Sequence, residues 1–176
     1  MSQQQLIGLS LALAVIAMPA SADGFRVTGF HQGLVAFNGD GEPAIGTRGD
    51  AFDYAPNGPC TVAGEQRQCM WYGFEFDYAG GQEVKALACT VESSDAVVEV
   101  DPSKRANHAA ERFNYTLQLD GANGHFINPQ YTIWGANSEP FKQTTWCRYG
   151  DREVLRFTLT IRPPKSARPK SAGIAR

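Results

Sequence analysis

Histidine is scarce in this chain of 176 residues: His31, His108 and His125 are the only three, and none sits in a metal-ligand spacing or a triad motif. The bland expectation is therefore surface or loop histidines. No Ser lies in a Gly-x-Ser-x-Gly elbow, and the four cysteines match no zinc spacing. No apolar run after Met18 approaches membrane length, so no transmembrane segment is expected in the mature chain. Acids are missing from Arg162 to Arg176, which holds five of the sixteen Lys and Arg, while residues 23–161 hold all eighteen acids. An acidic body with a basic tail lacks the basic face of a nucleic-acid binder, so no nucleic-acid partner is expected. Nothing implies a cofactor, a metal or a catalytic residue.

What is present begins with an address. Leu6 to Met18 is an almost unbroken apolar run, long enough for the hydrophobic region of a secretory peptide and short for a membrane span. Ala20-Ser21-Ala22 supplies the small-residue cleavage site, so residues 1–22 read as a signal peptide and the mature chain starts at Asp23. The basic residues that usually open such a signal are absent. A secreted or periplasmic chain turns Cys60, Cys69, Cys89 and Cys147 into disulfide candidates. Three pairings are possible. Cys60 with Cys69 is favoured because the two bracket a short turn, Val62-Ala63-Gly64-Glu65, and Cys89 with Cys147 because each falls in a strand-like run. Loop entropy gives roughly 2.7 kcal/mol for the short ring and roughly 4.2 for the long one.

From Trp71 onward the hydrophobic period is two. Tyr72, Phe74, Phe76 and Tyr78 alternate with Gly73, Glu75 and Asp77; Phe113, Tyr115, Leu117 and Leu119 alternate with polar residues; Leu155, Phe157, Leu159 and Ile161 do the same. Seven strands are expected, at 71–78, 83–92, 96–100, 112–120, 125–134, 141–149 and 153–162, with helical composition only at Ser103 to Arg112. This pattern over residues 71–162 predicts an all-β, antiparallel β-sandwich core, immunoglobulin-like in architecture. Cys89 and Cys147 would fall on the second and sixth strands, where such a sandwich places an inter-sheet bridge. Residues 23–70 read as an N-terminal Gly-rich, disulfide-stapled extension, its pieces Phe25 to Phe30 and Leu34 to Phe37 forming an added hairpin. Residues 163–176 contain a near-tandem repeat, Pro164-Lys165-Ser166-Ala167-Arg168 and Pro169-Lys170-Ser171-Ala172-Gly173, with nothing to bury; a basic disordered tail is expected.

Recognition is expected to map to loops and aromatics. The candidate partner-binding residues are Trp134, Trp71, Asp50 and Asp53, with Trp134 the tryptophan expected at the surface because Tyr131 and Ile133 take the other face. Asn38-Gly39-Asp40-Gly41-Glu42 reads as a hairpin turn rather than a calcium loop. The resulting expectation is an exported, non-catalytic binding or accessory module with a protein or glycan partner. Its alternatives are an envelope-polymer hydrolase using carboxylates of the 40–77 region, such as Glu75 with Asp77, and an inhibitor of an extracellular enzyme.

Overall fold

The computed structural model describes residues 24–80, 86–98, 109–134 and 139–165. The signal-like segment, His108 and the tail beyond Lys165 lie outside them. Among the described residues ten strands run in chain order as β1 (Arg26–Phe37), β2 (Pro43–Arg48), β3 (Ala51–Asp53), β4 (Gly58–Val62), β5 (Glu65–Ala79), β6 (Ala86–Val98), β7 (Ala109–Gln118), β8 (Asn123–Thr132), β9 (Phe141–Tyr149) and β10 (Arg152–Arg162). They form two sheets. The first runs β2-β1-β5, with β8 on the far side of β5 and β4 pairing its first residues; the second runs β3-β10-β9-β6-β7. Every pairing is antiparallel except the short one of β3 with β10.

The alternation decides what lies between the sheets. Tyr72, Phe74, Phe76 and Tyr78 of β5 are buried against Leu87 and Cys89 of β6, Leu117 of β7, Cys147 of β9 and Leu155, Leu159 and Ile161 of β10. Burying a side chain of the size of Phe or Leu contributes roughly 1.5–3 kcal/mol relative to leaving it in water. Phe157 bridges the layers, with ring centroids 4.7 Å from Phe74 and 5.1 Å from Phe30. Polar pairs sit in the same interior: the Tyr72 hydroxyl donates to Gln143 Oε1 at 3.1 Å, and Gln143 Nε2 donates to Gln130 Oε1 at 3.2 Å.

Several expectations about local structure are corrected. The pieces Phe25 to Phe30 and Leu34 to Phe37 do not fold back on each other. Apart from Phe25, which precedes it, they belong to one long strand, β1, which pairs with both β2 and β5 and tolerates an irregularity between Thr28 and His31. The hairpin partner is β2, and Asn38 makes the turn: its Oδ1 accepts the N–H of Asp40 at 3.0 Å and of Glu42 at 2.9 Å. The Gly-rich segment thus enters both sheets, because β3 lies against β10. Residues 96–98 are the end of β6 rather than a separate strand, and residues 109–112, expected as helix, belong to β7. Helix-forming composition is overridden there by cross-strand pairing of Glu92 with Arg112.

Both expected disulfides are present, Cys60–Cys69 and Cys89–Cys147. The second is not an inter-sheet bridge. The sheet order makes β6 and β9 neighbours, and Cys89 lies directly opposite Cys147 in their register, so the bond joins adjacent strands of one sheet on its inner face.

Candidate functional site

Along β5 the residues that alternate with the buried aromatics are Trp71, Gly73, Glu75 and Asp77, which face outward from the first sheet. The register sets Tyr131, Pro129, Ile127 and His125 of β8 opposite them in that order, and Gly33 and His31 of β1 opposite Gly73 and Glu75. Gly73 splits this outer face into two ends. A Cβ there would run into the Asn128 carbonyl oxygen, so the close approach of β5 to β8 requires glycine.

At one end the apolar groups gather. The Trp71 ring meets Phe37 and Tyr131 edge-on, with centroids 5.0 Å away in each case and interplanar angles of 84° and 61°. The polar tips are engaged by the stapled hairpin: Trp71 Nε1 donates to the Pro59 carbonyl at 2.9 Å and the Tyr131 hydroxyl to the Thr61 carbonyl at 3.0 Å. Asn57 fixes the place where β1 leaves β5 and β4 takes over. Its Nδ2 donates to the carbonyls of Val35 and Trp71, and its Oδ1 accepts the Trp71 N–H at 2.6 Å. Phe37, 43% exposed, and Ile133, 40% exposed, are the exposed large hydrophobics among the described residues. Ile133 follows Tyr131 by two residues, just beyond the end of β8.

At the other end lies charge. His125 Nδ1 is 3.0 Å from Asp77 Oδ1, and its Nε2 is 3.8 Å from Glu75 Oε2. Glu75 is mostly shielded and reaches past β1 to accept the Ile45 N–H of β2 at 3.2 Å. This pairing of His125 with two carboxylates was not visible in the sequence. It depends on the register of β5 with β8, strands some fifty residues apart, and no local pattern encodes it.

The four sequence-selected residues do not converge on one surface. Trp71 is on the outer face just described. Trp134 is half-buried on the inner side, packed against the cluster of Met70, Tyr72, Leu159 and Ile161, with its ring 5.6 Å from Tyr54. The exposed neighbour is Ile133: Tyr131 and Ile133 do share one face and Trp134 takes the other, but Tyr131 lies on the outer face beside Trp71, so inside and outside are the reverse of those expected. Asp50 is exposed, and its carbonyl accepts the Thr160 N–H at 2.7 Å. Asp53 clamps β3 to the end of β10, its carboxylate 2.8 Å from Arg162 Nε and 3.6 Å from Lys165 Nζ. Trp146 stands on the opposite outer face, that of the second sheet, between the guanidinium groups of Arg156 and Arg112, 5.1 and 5.6 Å from its ring.

Among the described residues no group of three or more His, Cys, Asp or Glu has the geometry to hold a metal ion, and no helix is long and apolar enough to cross a membrane. Between the sheets the packing leaves a cavity of about 10 Å³ lined by Tyr72, Phe74, Gln130, Gln143, Phe157 and Leu159, room for about one water molecule.

No protein-family pattern matches the chain, and no curated protein is detectably similar to it in sequence. Among solved structures it is similar to an immunoglobulin-like protein from Pseudomonas aeruginosa, with a TM-score of 0.51 and 12% identity over 81% of this chain and 99% of that one. That likeness concerns the fold: a nearly all-β, two-sheet, immunoglobulin-like domain.

Proposed function

We propose that the chain is an exported, non-catalytic binding or accessory module that recognises a protein partner through the aromatic end of the first sheet's outer face. The observation that carries this reading is the contiguous set Phe37, Trp71 and Tyr131, with Phe37 and nearby Ile133 left open to water on a rigid sheet. Exposed apolar side chains grouped in one place favour association, and aromatic anchors commonly dominate contact energy. A protein suits this surface better than a glycan. The indole N–H and the Tyr131 hydroxyl are already bonded to Pro59 and Thr61, and the rings stand edge to face, which offers no flat platform for a sugar ring.

Export is supported by the run Leu6 to Met18 with its Ala20-Ser21-Ala22 site, and two disulfides and an immunoglobulin-like fold fit an extracytoplasmic protein. The hydrolase alternative has less behind it. Glu75 and Asp77 stand side by side on an open strand face with His125 between them, whereas glycosidic chemistry needs two carboxylates across a substrate cleft.

The test is capture by the mature chain, Asp23 to Arg176, from envelope and culture extracts, repeated with Phe37→Ser. Loss of an anchor should weaken binding by more than about 1 kcal/mol. The melting temperature should stay unchanged. Undiminished capture by Phe37→Ser places the binding surface elsewhere, and capture that survives protease treatment of the extract makes the ligand a glycan.

A further inference from the structure

Among the described residues the two sheets have five edge strands, β2, β4 and β8 in the first and β3 and β7 in the second, and four are guarded. β2 is six residues long, starts at Pro43 and pairs with β1 across a register irregularity. β3 has three residues. β8 carries Pro129 in its middle, and β4 has five residues and contains Pro59. Short length, proline and irregularity are the usual devices that stop an edge from recruiting another strand. β7 is neither short nor interrupted by proline, and its one register irregularity, opposite the stretch between Glu92 and Val97, lies before Arg112. Its ten residues, Ala109–Gln118, contain no Pro, Gly or Lys, and its register with β6 is unbroken from Arg112 to Gln118. Among the described residues no strand pairs with its outer side.

The direction of its backbone groups follows from the neighbouring strand. Cys89 and Cys147 have Cα atoms 4.0 Å apart, the close spacing of a non-hydrogen-bonded antiparallel pair, so the N–H and C=O of Cys89 point the other way, toward β7. Tyr115 is opposite Cys89 and points back at it. The carbonyl of Glu111, of the same parity, faces the Ser93 hydroxyl on β6 at 3.5 Å. The backbone groups of Arg112, Asn114, Thr116 and Gln118 therefore face the open edge.

We infer that β7 pairs antiparallel with β7 of a second copy, about a two-fold axis through Tyr115, making the second sheets of two chains continuous. This register uses all four outward-facing residues, setting Asn114 opposite Thr116 and Arg112 opposite Gln118. It places no like charges opposite each other. Arg112 comes diagonally beside the exposed Asp120 of the other chain, one charge answering the other. On the inner face, partly buried Phe113 meets Leu117, and partly buried Tyr115 meets its own copy, so the apolar interior runs on across the joint. The interface is self-complementary, as a two-fold demands. It lies on a different sheet from the aromatic face, so neither reading depends on the other.

Sedimentation equilibrium of the mature chain over a wide concentration range, with amide hydrogen exchange at low and high concentration, tests this. The expected result is a reversible dimer in which the amides of Arg112, Asn114, Thr116 and Gln118 gain protection as dimer forms. Thr116→Pro removes an outward N–H that β6 does not use, and Thr116→Lys keeps the backbone while guarding the edge. Each should weaken the dimer by at least about tenfold, because a substitution on a two-fold acts twice. Circular dichroism reports whether the variants remain folded; Thr116→Lys, exposed and outward, stands in if the proline variant does not. A chain that stays monomeric at every concentration overturns the inference. So does a dimer that leaves those four amides unprotected, or one that Thr116→Lys does not weaken.

Discussion

Each outer face of the sandwich carries a tryptophan, and the neighbours treat the two differently. Trp146 on the second sheet lies between Arg112 and Arg156, which are themselves held by Glu92 at 3.0 Å and Glu153 at 2.6 Å. Hydroxyl and amide pairs surround it, Thr144 with Thr158 at 2.9 Å and Thr90 with Asn114 at 2.7 Å. Trp71 on the first sheet has aromatic neighbours instead, and the group leaves Phe37 and Ile133 open. A tryptophan on a sheet surface is thus no mark of recognition by itself. What covers its ring decides whether the face is apolar to an approaching partner.

The comparison can be broken most forcefully at the disulfides beneath the two faces. Cys89–Cys147 closes a separation of 58 residues and is buried in the inner layer, whereas Cys60–Cys69 closes 9 and clasps one hairpin. Replacing both Cys89 and Cys147 with Ala should cost about 2–5 kcal/mol in denaturant unfolding, with the whole domain affected. The equivalent Cys60 and Cys69 variant should lose less, roughly 2.7 kcal/mol or under, and show early hydrogen exchange confined to β4 and the start of β5. Equal and global losses would mean that the aromatic end is no more local than the rest.

A smaller effect should separate the tryptophans themselves. Trp71→Ala removes the hydrogen bond to Pro59 and two edge-on ring contacts, about 2 kcal/mol together. Trp146→Ala removes contacts with two solvated guanidinium groups and should cost about 1 kcal/mol. Thermal denaturation measures both, and binding of a hydrophobic dye should change with Trp71→Ala and not with Trp146→Ala.

The inner faces supply the control, because there the sheets behave alike. Burial pushes the Tyr72 phenol of the first sheet above its ordinary value of 10.0, with Tyr115 nearby adding to the shift. Tyr115 of the second is raised by burial too, partly opposed by the Asn128 side chain. The unfolded chain therefore releases these protons before the folded one does. Their contribution is present below pH 10 and is lost progressively as pH rises above it, by on the order of 1 kcal/mol per tyrosine for each pH unit. Tyr72→Phe, weaker at neutral pH through the lost bond to Gln143, should show a shallower decline above pH 10 in denaturant titrations.

The strands that stood out in the sequence are those with one face buried and one wet. β9 runs Phe141–Tyr149 as expected, β10 begins one residue early, and the inward sets of β5 and β10 are the ones the alternation picked. β1 was hidden because Gly29 and Gly33 interrupt its apolar pattern while its hydrogen bonds continue on both sides. β3 is three residues long and exists through the parallel neighbour that receives it, information absent from its own composition. The candidate face was half legible. Trp71 stands out by its type, whereas Phe37 and Tyr131 join it through pairings between strands distant in sequence, and Trp134 is misplaced because alternation tells which residues of a strand share a face and not which face lies inside.

The two disulfides follow one another along the chain without nesting or crossing, first Cys60 with Cys69 and then Cys89 with Cys147. A chain that enters an oxidising space with its amino end leading can close the hairpin while its third cysteine is still to come, and the second bond then has one pair of thiols left to choose. Correct connectivity is in this way favoured by the order of arrival, without reshuffling. Reduced protein released from denaturant presents all four thiols at once and loses that ordering, so it faces three pairings where the emerging chain meets them in sequence.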